Sequence, residues 1–211
     1  MAQQAVIDIV ADVAQICRQA PTPTLIAAYV RAARRLCLGS RWLVASIDGV
    51  TGAGDKNYSL GSDTYAEIFG LAGITLYRSA DDPVVLIESD SALWNPADDN
   101  GVPELYQYLP EAQVTLHKTP GAIYDITFGA VITPKRGATS IDARLCTKWE
   151  YALQDGALAY LLSLPNVAWT DAQEAKMREA RFLGHIQSAA NAASIGFNPG
   201  ATPLRSVPLE Y

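Results

Sequence analysis

GALAYLLSLPNVAWTDAQ, residues 156–173, is punctuated more sharply than the rest of the chain. Small and apolar residues fill its first arm, and Pro165 interrupts it. Thr170 with Gln173 three residues on matches a capping box. The stretch reads as the end of one helix, a short turn and the start of another. Upstream, Leu145, Trp149, Leu153, Gly156, Tyr160 and Leu164 recur at helical spacing, with Ser140 or Asp142 available as the cap. Downstream, Ala175, Phe182, Ile186, Ala189 and Ala193 form the inner face of the second helix, which Gly196 closes. Gly156, Ala157 and Ala159 allow close helix approach. Gly156, Ala157, Tyr160, Phe182 and Ile186 are the expected helix-packing residues.

The other end of the chain carries a similar pattern. Val6, Val10, Val13 and Cys17 recur at helical spacing. APTPT, residues 20–24, stops that helix and starts the next, with Thr22 as N-cap and Pro23 at the first helical position. Leu25, Ile26, Tyr29, Val30, Ala33 and Leu36 give its apolar face. Arg31, Arg34 and Arg35 suit the negative end of the helix dipole, and Gly39 ends the helix.

Between these hairpins, about 41–134, the pattern changes to short alternating runs. RWLVASI places Leu43, Ala45 and Ile47 on one face. GITLYRSADDPVVLIES reads as two strands around an Ala-Asp-Asp-Pro turn. IYDITFGAVI is the clearest strand, with Tyr124, Ile126, Phe128, Ala130 and Ile132 on one face. The expected fold is therefore α+β. Residues 1–40 and 138–196 supply a helical bundle from the N- and C-terminal hairpins. Residues 41–137 form a central antiparallel β sandwich or barrel-like insertion, and 197–211 an extended tail.

Composition narrows the function classes. With 49% hydrophobic and 18% charged residues, the chain has material for a core and is not a candidate for wholesale disorder. No run approaches the ~18 consecutive apolar residues of a membrane span, so no membrane role is expected. MAQQAVIDIVADVAQ carries acids where a signal peptide carries Lys or Arg, which places synthesis in the cytoplasm. A net charge of −6 argues against a phosphate-gripping surface, but suits one along which DNA slides without sticking. Cys17, Cys37 and Cys146 show no C-x-x-C pair and read as reduced, mostly buried thiols; Cys17 and Cys37 lie on neighbouring predicted helices.

No catalytic, cofactor or metal site is expected. WLVASIDGVTGAGDKN departs from the phosphate loop: Asp55 separates Gly54 from Lys56, Asn57 replaces Ser/Thr, and YSLGS is no helix. It reads as a loop between strands. His117 and His185 have no ligand neighbours at metal spacing, and no G-x-S-x-G elbow exists. Asp81-Asp82 and Asp98-Asp99 read as solvated turn acids. Trp42, Trp94, Trp149 and Trp169 are scattered, with Trp94 the best candidate for an exposed contact. The tail GFNPGATPLRSVPLEY holds three prolines yet stays apolar at Leu204, Val207, Leu209 and Tyr211. Such a segment docks on a partner, folds back on its own subunit or simply frays.

The order of these pieces resembles the head-to-tail adaptor (connector) proteins of tailed bacteriophages, especially short-tailed ones. The likeness lies in PTPTLIAAYVRAARRLC, in GAIYDITFGAVITPKRGATSID and in WEYALQDGALAYLLSLPNVAWTDAQEAKMREARFLGHIQSAANAA. It is strongest in the last third, weaker at 22–37 and nearly absent at 41–115. The resemblance implies a structural virion protein at the head–tail interface, not an enzyme. Copies would form a ring of about twelve below the portal, extend the DNA channel without specific DNA binding, and give the tail or nozzle protein a platform. It implies portal docking by the tail, with Phe197, Leu204, Arg205, Val207, Leu209 and Tyr211 as docking residues. The rivals are a tail-completion or tail-tube protein, a hydrolase using the carboxylates, and a sugar-binding β module built on Trp42 and Trp94.

Overall fold

The computed structural model describes residues 2–61, 65–79, 81–89 and 100–197. Its largest feature is a curled seven-stranded sheet, a half-barrel. The strands are β2 (Val44–Val50), β3 (Asn57–Ser59), β4 (Ala66–Tyr77), β5 (Pro83–Glu88), β7 (Leu105–Leu109), β8 (Gln113–His117) and β10 (Asp125–Pro134), in the order β2-β10-β4-β5-β7-β8-β3. Two small ladders flank it: β1 (Gln3–Ala5) with β11 (Ser140–Asp142), and β6 (Asn100–Gly101) with β9 (Thr119–Pro120). The helices are α1 (Ala11–Ile16), α2 (Thr22–Ser40), α3 (Ala143–Leu162) and α4 (Ala172–Phe197).

The strand IYDITFGAVI becomes β10, paired on both sides with β2 and β4. A strand with two neighbours satisfies its backbone twice over, and its side chains fill the inner face: Ile126, Phe128, Ala130 and Ile132 are all buried. Tyr124 precedes the strand and is only half-buried. Register shifts after Gly129 and Val131 bend β10 against β4, and such bulges curl a sheet. The Ala-Asp-Asp-Pro turn joins β4 to β5 as an antiparallel pair, with Tyr77 opposite Pro83.

The expected bundle of two terminal hairpins does not form. Residues 3–5 are a strand whose partner is β11, with Gln3 opposite Asp142 and Ala5 opposite Ser140. Val6–Asp8 is a single 3-10 turn, and α1 spans only six residues. Val6, Val10, Val13 and Cys17 are all buried, so the spacing marked a buried face but not a continuous helix. The backbone of residues 3–5 pairs with β11 and the Val6 N–H donates to the Thr139 carbonyl at 2.9 Å, so the chain stays non-helical up to the turn that precedes α1. Three long helices, α2, α3 and α4, therefore pack together, with α2 against β10 of the sheet and α3 against the β1–β11 ladder.

The sheet corrects the expectation of a wholly antiparallel sandwich or barrel. It is a single layer and mixed, because β5 and β7 pair in parallel. The hydrophobic side chains of helices and sheet belong to one buried cluster. Leu36, Tyr29 and Leu43 lie in it with Ile126 and Phe128.

Helix ends also differ in detail. Pro21 precedes α2 and Thr22 is its first residue. The helix runs through Gly39 to Ser40 and ends on Arg41 at φ 55°. Asp142 caps α3, accepting from the Arg144 backbone N–H at 2.9 Å. Asp171, not Thr170, caps α4: its Oδ1 accepts from the Gln173 and Glu174 N–H groups at 3.1 and 3.0 Å. The Thr170 hydroxyl instead donates within the turn, to the Leu164 or Val167 carbonyl. Gly196 lies inside α4, which reaches Phe197.

Candidate functional site

The helix layer is built on small residues. A Cβ on Gly156 would lie 2.9 Å from both the Ala32 Cβ and the Phe182 ring. That glycine lets α2, α3 and α4 meet around a fully buried Phe182, whose burial contributes about 1.5–3 kcal/mol. Ala157 beside it is fully buried. Gly39 does a similar job one residue from the end of α2, where an added Cβ would sit 2.7 Å from Ile186. Ile186 itself is half-buried. Tyr160, half-buried at the far end of α3, carries the Arg31 guanidinium 4.4 Å above its ring. Gly156, Tyr160, Phe182 and Ile186 each lie against a residue of another of these helices, and Ala157 is buried beside them.

The arginines of α2 do more than face a dipole; none lies in the last turn of the helix. Arg34 donates to the Pro134 carbonyl and pairs with Glu67 at 2.6 Å, tying α2 to the end of β10 and to β4. Arg35 forms a two-pronged pair with Glu179 of α4, at 2.9 and 2.5 Å, and lies 5.1 Å from the Phe182 ring. The Arg35 hydrogen bonds hold the Glu179 carboxyl below the usual carboxylate range. Arg31 and Arg136 make no ion pair among the described residues.

These arginines rim a groove of about 920 Å³. One wall is an apolar stripe on α2: Pro23, Ile26, Ala27, Val30 and Leu38. The other wall is the turn 136–139, where Gly137 at φ 79° reverses the chain and leaves Arg136 exposed. Tyr160 closes one side. The lining holds four arginines and no carboxylate or imidazole. The chemistry of this lining is apolar and cationic, which complements an apolar segment that carries an acid.

Ile26 and Val30 belong to the apolar face read from the sequence, whereas Pro23, Ala27 and Leu38 lie outside it. Spacing of Pro23, Ala27, Val30, Arg34 and Leu38 was the available signal. The arginines interleaved with it read as dipole partners alone.

Other candidate residues disperse. His117 is on β8 and His185 on α4. His185 Nε2 lies 3.5 Å from Asp155 Oδ2, but the other oxygen of this buried carboxylate holds Arg178 at 2.8 Å. Asp82 pairs with Arg78 in the β4–β5 turn. No group of three metal-ligating side chains occurs among the described residues, and none of their helices is long and apolar enough to cross a membrane. Asp55, Lys56 and Gly54 sit in the loop between β2 and β3.

The tryptophans are less scattered than their spacing suggests. Trp42 and Trp149 meet edge to face at 5.8 Å, where α3 departs from helical geometry at Trp149. Lys148 lies over both rings. Trp94, Asp98 and Asp99 fall outside the described residues, as do Leu204, Arg205, Val207, Leu209 and Tyr211; of Phe197 only the backbone is described.

All three cysteines are free and buried. Burial pushes the Cys37 thiol up to about 12 and Cys146 to about 11, which leaves them protonated and unreactive.

Compared with known proteins, the chain matches no family model and no curated sequence.

Proposed function

We propose that this protein is a structural subunit of a tailed bacteriophage, a head-to-tail adaptor that assembles as a ring between portal and tail. The observation that carries the reading is the resemblance over the last third of the chain, PKRGATS through the Ala-rich final helix. In this reading the ring, of about twelve copies, extends the DNA channel and offers the tail or nozzle protein a platform. The acidic chain suits a lumen that passes DNA without holding it. The groove without carboxylate or imidazole also favours a contact protein over a hydrolase.

Residues 197–211 dock on the portal, using Phe197, Leu204, Arg205, Val207, Leu209 and Tyr211. Each such contact is weak, and repetition around the ring makes attachment firm.

The test mixes the purified protein with the portal ring from the same genome and images the product by electron microscopy. A second ring stacked coaxially on the portal is the expected result, lost when 197–211 are deleted while the circular dichroism spectrum stays unchanged. Bare portal rings, with the chain found instead in purified tails, would assign it as a tail-completion or tail-tube protein. Portal attachment undiminished by the deletion would remove the docking role from the tail.

A further inference from the structure

The chain itself holds a segment whose length and chemistry match the groove on α2. We propose that the groove binds the chain's own C-terminal segment, residues 198–211, folded back along α2. The inference rests on the groove and the sequence, not on the adaptor reading.

The geometry starts from the relation of α2 to α4. Arg35 meets Glu179, and Gly39 faces Ile186, so the two helices run in the same direction side by side. From the level of Ile186 to Phe197, α4 continues for about 17 Å, at ~1.5 Å per residue. From Leu38 back to Thr22, the groove wall on α2 covers about 24 Å by the same rise. A segment leaving Phe197 must therefore span about 41 Å to return and fill the groove. The fourteen residues 198–211 reach about 43 Å in extended, proline-rich form. The path is long enough without surplus.

The chemistry agrees. Pro199, Pro203 and Pro208 favour an extended backbone that loses little entropy on docking. Extended proline-containing segments bind apolar grooves edged by aromatic rings, and Tyr160 supplies one here. Leu204, Val207, Leu209 and Tyr211 supply apolar side chains for the stripe of Pro23, Ile26, Ala27, Val30 and Leu38. Glu210, the one acid in the segment, comes level with the first turn of α2 by the same count, and enters a groove whose lining holds arginines and no carboxylate. Arg205 has no carboxylate to meet in the groove lining.

Tethering favours this occupant over a separate partner, because a short linker supplies an effective concentration on the order of millimolar. Any partner that binds the same segment must then compete with the groove.

The test uses the full-length protein with p-benzoylphenylalanine in place of Leu209, irradiated at about 1 µM, where encounters between chains are rare. Cross-linked peptides are mapped by mass spectrometry. Cross-links within one chain, to residues 22–38 or 136–139, are expected. Ala27→Glu places a carboxylate on the groove wall at an exposed helical position and lowers the yield about tenfold. Arg136→Glu, in an exposed turn that the fold does not need, acts in the same direction. No cross-link, cross-links only elsewhere, a product of two-chain mass, or a yield unmoved by both substitutions would each overturn the proposal.

Discussion

Gly156 shows how one missing side chain organises the helix layer. Ala32 on α2 and Phe182 on α4 both lie where its Cβ would be, so two neighbours would have to retreat at once. Neither is the loose end of a flexible chain: Ala32 is buried backbone-proximal carbon and Phe182 is a fully buried ring. Gly156→Ala is therefore expected to destabilise by about 1–3 kcal/mol despite its better helix propensity, because overpacking outweighs the gain. Urea titration checks this through a lower midpoint at unchanged slope. A variant as stable as the parent would mean that the contact relaxes freely. The sequence made Gly156 visible as a close-approach residue, but not which neighbours it touches. The caps show a similar limit. Thr170 and Asp171 are adjacent and both able to cap, and the choice depended on which side chain the turn after Pro165 recruits. Thr170 reaches the Leu164 and Val167 carbonyls and is spent there.

At the scale of elements, α2 is fixed to its neighbours by charge as well as packing. Arg34 reaches the sheet and Arg35 reaches α4. Glu179 has its carboxyl held below the ordinary value by Arg35, so its contribution to stability is fully present above the unfolded value of about 4.3. That contribution is lost as pH falls through the folded value. Both partners are more than a third exposed, at 38% and 37%, so solvent screens the pair and the effect is modest. Stability measured from pH 3 to pH 6 should separate the parent from Glu179→Gln at the upper end and bring them together at the lower. A gap that stays constant with pH would show that the ionised pair does not link α2 to α4. The elements themselves were mostly legible. The β4–β5 turn, strand β10 and the α3–α4 hairpin all carried local signals of spacing and turn chemistry. The first seventeen residues did not. Their buried valines fit helical spacing, yet residues 3–5 pair with a strand 135 to 139 positions away, β11. Register with a distant strand leaves no local trace. The parallel pairing of β5 with β7 escaped for a related reason: turn residues mark where strands end, not which strand lies alongside.

For the whole molecule, the sequence suggested a helical unit and a β unit, whereas the described side chains form one buried cluster across both. The groove was equally illegible, since it joins one face of α2 to a turn more than a hundred residues later. What could be read was its ingredients: the arginines of α2 and the PKRGATS turn. A common core carries a thermodynamic consequence. If Leu36 and Tyr29 share their contacts with Ile126 and Phe128, the helix layer cannot detach without exposing the inner face of the sheet. The amides of β10 and the central turns of α3 should then exchange with deuterium only through the same global opening. Under conditions where refolding is fast relative to exchange, their opening free energies should coincide and fall in parallel as denaturant is added. Amides of the short β6–β9 ladder, with two pairs, should exchange earlier through local opening. Exchange of β10 at a distinctly lower free energy than α3 would instead divide the molecule into two independently opening parts, and the shared core would be a contact surface between them rather than a single cooperative unit.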